Sequence, residues 1–287
     1  MKRVFYLLSM VALPVFFAVS CSRNDDEPTP KEELLLPSKI EETYYDKDGK
    51  PESTTVNTFT YNGTKLVKMA TVNDDDGSKS SAEYSVVLTY EGDLIKKTQG
   101  NGTEKTFEYD SKGNLLKETY TSNNASRIYT EICTYKLNGN SVDVAYSSEE
   151  IRDGKLEQKI EGTYVYTLTS DQHVMKRKGK DVTTMYNAVS SHTYESDVEE
   201  DYTYDDKNSV YRHFSGFDKL GYSLAAVTLL RGGVHNVLTK SEYLNNALQT
   251  YHYKYTYNDK NFPTKIEESR GGEKYKVSTI EYKTVTK

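Results

Sequence analysis

The sequence predicts an all-β domain, a single antiparallel meander of hairpins curved strongly enough to form a soluble, barrel-like sheet. Three observations lead there. From about Ser38 onward, short runs of Tyr, Thr, Val and Ile alternate with Lys and Glu; the alternation has a period of two; and Gly, Asn and Asp stand between the runs. In KTFEYD, Phe107 and Tyr109 share one side and Thr106 and Glu108 the other, and in HYKYTYN the tyrosines Tyr253, Tyr255 and Tyr257 line up in the same way. Each strand therefore has an aromatic face to bury and a polar face for water.

The chain starts differently. MKRVFYLLSMVALPVFFAVS places Lys2 and Arg3 before an apolar run from Val4 to Val19. A spanning helix needs ~20 apolar residues, and Pro14 interrupts this run, so residues 1–20 are read as a secretory signal peptide. Ala18-Val19-Ser20-Cys21 is similar to a bacterial lipobox, although Ala18 stands where leucine is commoner. The resemblance implies cleavage before Cys21 and acylation of its thiol, which holds a protein on a membrane without spanning it. The next residues, SRNDDEPTPKEE, carry many charges, Pro28, Pro30 and no apolar side chain, so residues 21–37 are read as a disordered tether. Their acidic start resembles the export tag of Bacteroidota lipoproteins, which implies the outer face of the outer membrane.

Removal of residues 1–20 leaves 35 cations against 43 acids, a balance of −8. The lysines and arginines lie scattered among acids, so there is no footprint for nucleic acid. With Cys21 acylated, Cys133 has no disulfide partner. It falls in period two with Tyr129 and Tyr135 and has no cationic neighbour in sequence, which predicts a buried, inert thiol.

The domain over 38–287 repeats one phrase, seen most fully in FEYDSKGNLLKETY at 107–120. Asp110-Ser111-Lys112-Gly113 places Asp first and Gly fourth in a type I turn, where the left-handed backbone favours glycine. Asn62-Gly63, Glu91-Gly92, Asn138-Gly139, Asp153-Gly154 and Asn245-Asn246 read as further corners. The marker tyrosines Tyr61, Tyr90, Tyr109, Tyr135, Tyr166, Tyr204 and Tyr257 are unevenly spaced, which argues for hairpins of unequal arm length rather than a solenoid or propeller. GFDKLGYSLAAVTLLRGG at 216–233 breaks the texture. Phe217, Leu220, Leu224 and Val227 have helical spacing, while Gly221, Val227 and Thr228 oppose a helix. It is read as a short helix or strap near 216–231, buried against the aromatic face.

The phrase aromatic-x-Tyr-Asp/Asn-x-x-Gly-x-Leu-x-Lys is similar to the tyrosine-aspartate (YD) repeats of bacterial surface and toxin-shell proteins. The whole layout, from lipobox and acidic tether through Tyr-rich hairpins to Tyr255-x-Tyr257-Asn258-Asp259-x-x-Phe262-Pro263-Thr264-Lys265-Ile266, resembles a family of Bacteroidota outer-membrane lipoproteins of unknown function. That resemblance implies a porin-like architecture and no catalytic residues. A membrane barrel presents an apolar band outward, where charges cost ~2 to 4 kcal/mol at mid-depth. Here Thr60, Lys68, Thr89, Glu108 and Lys254 lie opposite the aromatic face, so the barrel is expected in water and tethered.

No Cys-x-x-Cys, His-Glu-x-x-His, Gly-x-Ser-x-Gly or phosphate-cradling glycine loop occurs, and the five histidines stand singly. No enzymatic activity and no cofactor are expected. Asn73-Asp74-Asp75-Asp76-Gly77 clusters oxygens that a calcium ion wants, yet it lacks the alternating spacing and distant Glu of a helix-loop-helix site, and a solvated hairpin tip is the favoured reading for Asp74, Asp75 and Asp76. The tyrosines near the strap, Tyr211 and Tyr222 with Leu224, are the candidates for lining a ligand cavity. The expected function is a membrane-anchored, cell-surface binding module for a glycan, peptide or protein. The alternative is a periplasmic carrier of an apolar molecule with the strap as lid; a hydrolase is a third.

Overall fold

A meander of strands that each bury one face leaves two unpaired edges unless the first strand meets the last. This chain closes. The computed structural model describes residues 32–75, 83–187, 189–223, 233–244 and 247–286. These form sixteen strands: β1 (Glu33–Tyr45), β2 (Pro51–Asn62), β3 (Lys65–Asp75), β4 (Glu83–Glu91), β5 (Leu94–Gly100), β6 (Thr103–Tyr109), β7 (Leu115–Asn123) and β8 (Arg127–Asn138), then β9 (Ser141–Arg152), β10 (Lys155–Leu168), β11 (Val174–Tyr186), β12 (Ser191–Tyr204), β13 (Val237–Leu244), β14 (Ala247–Tyr257), β15 (Pro263–Arg270) and β16 (Glu273–Thr286). Each pairs antiparallel with its sequence neighbours, and β1 pairs with β16, with Ile40 opposite Ile280 and Glu42 opposite Ser278. The expected curved meander is thus a closed barrel. Among the described residues no helix is long and apolar enough to cross a membrane.

The sheet begins at Glu33, so the tether read over 21–37 ends earlier than its composition suggested. Leu34, Leu35 and Leu36 are buried, and their backbones pair with Val285, Thr284 and Lys283. Three consecutive leucines recover enough burial to order the segment, at roughly 1.5–3 kcal/mol each. The signal peptide at 1–20, Cys21, Asp76 and Leu224 lie outside the described residues.

The period-two reading assigns the faces correctly. Phe59, Leu88, Phe107, Tyr135, Val144 and Tyr164 are buried in the core. The outer face is polar: Lys176, Lys178 and Lys180 of β11 stand opposite Asp201, Glu199 and Asp197 of β12, with charged groups 3.5, 3.6 and 3.9 Å apart. A wall of this kind suits water and would be expensive at mid-bilayer depth. In the phrase at 107–120, Lys117 points out to Glu108 at 3.3 Å, while Glu118 points in and is 2 % exposed.

The corners follow the turn chemistry. Gly113 N–H donates to Asp110 O at 3.0 Å with φ 80°, and the Asp110 carboxylate accepts from the N–H groups of Lys112 and Asn114. The same arrangement recurs at Asp46 with Gly49 and at Asn258, where Asn261 takes the left-handed position at φ 60°.

A second regularity lies just beyond each corner. Where the phrase reads Leu-x-Lys the strand carries a bulge: Leu116 is skipped in the β6/β7 register, and Val67, Lys96, Met175, Leu238 and Thr264 are skipped at the equivalent places. A bulge disrupts the ladder locally, and the carbonyl just before the extra residue needs a partner. Tyrosines supply it. Tyr90 donates to Leu66 O, Tyr109 to Ile95 O, Tyr204 to Val174 O, Tyr255 to Val237 O and Tyr282 to Pro263 O, over 2.7–3.1 Å. At the β1/β16 bulge, Tyr61 donates to Pro37 O at 2.7 Å. The β8/β9 hairpin has no register shift, and Tyr166 on β10, which would reach back to it, has a buried hydroxyl without a partner among the described residues.

Between β12 and β13 the chain turns into the barrel as a plug. Its described residues contain one 3-10 turn, Phe217–Leu220, which falls within the strap expected near 216–231. Phe214 packs against Phe59, Tyr61, Tyr211 and Phe217 with ring centroids 4.8–6.3 Å apart. Ser215 N–H donates to Thr64 O, and Gly216 at φ 80° lies where a side chain would strike the Asp93 carbonyl. Sixteen strands enclose more space than their own side chains fill, and the plug occupies part of that space.

Candidate functional site

Two conditions set what the lumen contains: inward positions alternate along each strand between the bulges, and the described residues of the plug meet only part of the circumference. On the β7 to β10 side, side chains and plug meet. Tyr222 packs edge-on to Tyr135 at 5.5 Å, and Ser223 donates to Glu118 at 2.5 Å. On the other side, strands β1 to β4 and β12 to β16 bound a cavity of about 840 Å³, with Ser209, Val210 and Tyr211 of the plug as its floor.

The cavity wall is charged and aromatic. Glu42 is 6 % exposed and accepts from Lys276 at 2.7 Å, from Ser278 at 3.3 Å and from Asn57 at 3.4 Å; Thr71 in turn donates to Asn57 at 2.7 Å. Glu268 lies 3.8 Å from Lys276, and burial pushes its carboxyl above the usual carboxylate range. Lys240 pairs with Glu200 at 3.1 Å and with Glu242, whose other oxygen accepts from Tyr251 at 2.7 Å. Each charge is compensated by a partner and by hydrogen bonds, as low-dielectric surroundings require.

Arg270 is different. Its guanidinium sits 4.8 Å from the Tyr251 ring centroid and 4.2 Å from that of Tyr275, and Tyr275 meets Tyr44 edge-on at 5.8 Å. Among the described residues no carboxylate forms an ion pair with it, and its buried Nε has no acceptor. It closes β15 opposite Tyr251, just before Gly271-Gly272, so it stands near the end of the cavity away from the plug.

Of the residues singled out in the sequence, Tyr211 lies in the cavity wall. Tyr222 lies in the packed half, donating to Leu115 O at 3.1 Å. Asp74 is exposed on β3, opposite Thr54, and the described residues contain no cluster of three His, Cys, Asp or Glu side chains able to hold a metal. Cys133 is a free, fully buried thiol, and burial with Glu118 and Glu131 nearby raises its pKa. Sequence reading missed Glu42, Glu268, Arg270 and Lys276. Their signal was parity: once Ile266 points inward, period two carries Glu268 and Arg270 inward with it.

Comparison with known proteins supports the repeat likeness over one stretch and the porin-like architecture. A family model for the RHS repeat matches residues 90–125. That stretch holds β5 to β7, the Asp110 corner and the bond from Tyr109 to Ile95. Among solved structures, the chain is similar to a porin-like protein from Bacteroides vulgatus ATCC 8482, with TM-score 0.54 and 16% identity over 87% of this chain and 99% of that one. It is also similar to a porin-like protein from Bacteroides uniformis ATCC 8492, with TM-score 0.48 and 14% identity over 86% of this chain and 98% of that one. A search of curated proteins finds no match.

Proposed function

We propose that this chain is a membrane-anchored, cell-surface lipoprotein that acts as a non-enzymatic binding module, taking a glycan, peptide or protein partner at the unplugged end of its barrel. The observation that carries this reading is the cavity of about 840 Å³ with its floor of plug residues. Its size is that of small-molecule sites, and its tyrosine faces and buried polar groups supply stacking and hydrogen bonds together. The polar outer wall supports a barrel that stands in water, and the plug inside it weighs against an open conduit. The ionised groups around Lys276 and Lys240 weigh against an apolar cargo, which is the carrier reading. Anchoring rests on the lipobox-like Ala18-Val19-Ser20-Cys21. β1 enters at the plugged end, where Leu35 N–H donates to His213 Nδ1, and the mouth of the cavity lies at the opposite end.

Two measurements on the producing cells test this. Cys21→Ala is expected to move the protein from the membrane to the soluble fraction. Protease added to intact cells is expected to degrade the wild-type protein; protection until lysis would refute surface exposure.

A further inference from the structure

The inference concerns what the cavity recognises, and it rests on the binding-module reading above. Three cations, Lys240, Arg270 and Lys276, stand in the cavity wall with the carboxylates of Glu42 and Glu268. Lys276 is bound to Glu42, and Lys240 to Glu200 and Glu242. Arg270 alone among these three has no described carboxylate in ion-pair contact. Glu268 acts on it through space, but no described carboxylate occupies its hydrogen-bonding edge.

The geometry says what that can be. Tyr251 of β14 and Tyr275 of β16 flank the guanidinium from the two neighbouring strands, 4.8 and 4.2 Å from it, which favours an approach to its edge. The edge is a planar fork of N–H donors, which matches a carboxylate in two parallel hydrogen bonds. Two rings also hold the fork in one orientation, so less side-chain freedom is lost on binding. The tyrosines lining the space, Tyr44, Tyr253 and Tyr255 among them, provide flat surfaces beside the fork for the body of the ligand.

We infer that the barrel cavity binds a small ligand through a free carboxylate, held edge-on by Arg270 between Tyr251 and Tyr275. Two sources offer this group, a uronic acid sugar and the C-terminus of a short peptide, and the experiment separates them.

The full chain is titrated calorimetrically with digalacturonate and with trialanine, each paired with its blocked form, the methyl ester and the C-terminal amide. The expected result is that one free acid binds and that its blocked form is about tenfold weaker or worse, as is the same acid with Arg270→Gln. Arg270→Lys keeps the charge and loses the fork; it is expected to weaken binding severalfold, and it serves alone if Arg270→Gln does not fold. The inference is overturned if neither acid binds, if blocked and free forms bind equally, or if the arginine variants bind like the wild type. Equal binding of a blocked form would leave the cavity as a binding site and remove only the carboxylate. Loss of surface exposure in the protease test would instead remove the binding-module reading's cellular setting.

Discussion

The hydroxyl of Tyr222 donates to the carbonyl of Leu115 at 3.1 Å across 107 residues of sequence. Leu115 precedes the bulge at Leu116, so its carbonyl occupies the place that a tyrosine of the following hairpin fills elsewhere in the wall. Tyr135, the residue due to fill it, turns instead to Glu118. The plug is thus fastened through a vacancy in a repeated bonding scheme, and the scheme itself can be tested.

Tyr109→Phe removes the donor to Ile95 O and strands a half-buried carbonyl, which costs about 1–3 kcal/mol. Tyr166→Phe deletes a buried hydroxyl that has no partner among the described residues, so it is expected to be neutral or stabilising. Urea denaturation of the two variants should separate them clearly; equal losses would refute the scheme.

Lys276→Met leaves Glu42 buried without its cation and is expected to destabilise by about 3–5 kcal/mol. Adding Glu42→Gln to that variant should restore part of the loss, since it removes the carboxylate bound most closely to Lys276 and leaves only Glu268, 3.8 Å away in the wild type, without that cation. A double-mutant cycle measures this, and additive losses would mean that the pair is not coupled.

His173 is buried at the plugged end, 5.5 Å from the ring of His235, and burial together with that neighbour lowers its pKa to about 4. The native state resists protonating it, while the unfolded chain protonates near the ordinary value of 6.5. Its contribution is therefore complete above pH 6.5 and is lost as pH falls toward 4, by roughly 3 kcal/mol at most. Melting temperature followed over that window should drop in the wild type and drop less in His173→Phe.

Gly179 on β11 lies where a Cβ would overlap the backbone carbonyl of Thr163 and the ring of Tyr164. Neither can move without opening the β10/β11 ladder, so Gly179→Ala is expected to cost about 3 kcal/mol. Thermal denaturation is the readout, and an unchanged midpoint would mean that the sheet relaxes there.

What could be read from the sequence was what is local. Asp110 and Gly113 announce their corner because turn chemistry spans four residues, and Phe107 and Tyr109 announce their face because alternation spans two. The strap at 216–233 was expected to be buried from its apolar content alone, and of its described residues Phe217, Leu220 and Tyr222 are. Closure of β1 on β16 was not legible, since no short-range signal joins Ile40 to Ile280. The bulges were hidden for a related reason: Leu-x-Lys reads as ordinary strand, and only the partner's register shows that Leu116 is skipped. Arg270 escaped notice because its two flanking rings come from β14 and β16. Parity would have placed it inside, but not between them.

The bonds from Tyr90, Tyr109 and Tyr255 each join a strand to the one just before it and ask nothing of the rest of the wall. A wall fastened this way is modular. Duplicating or deleting one hairpin leaves every other fastening intact, and lumen width grows with strand number. The bore of such a barrel is then a property that gene duplication can adjust two strands at a time, with only the plug left to be refitted.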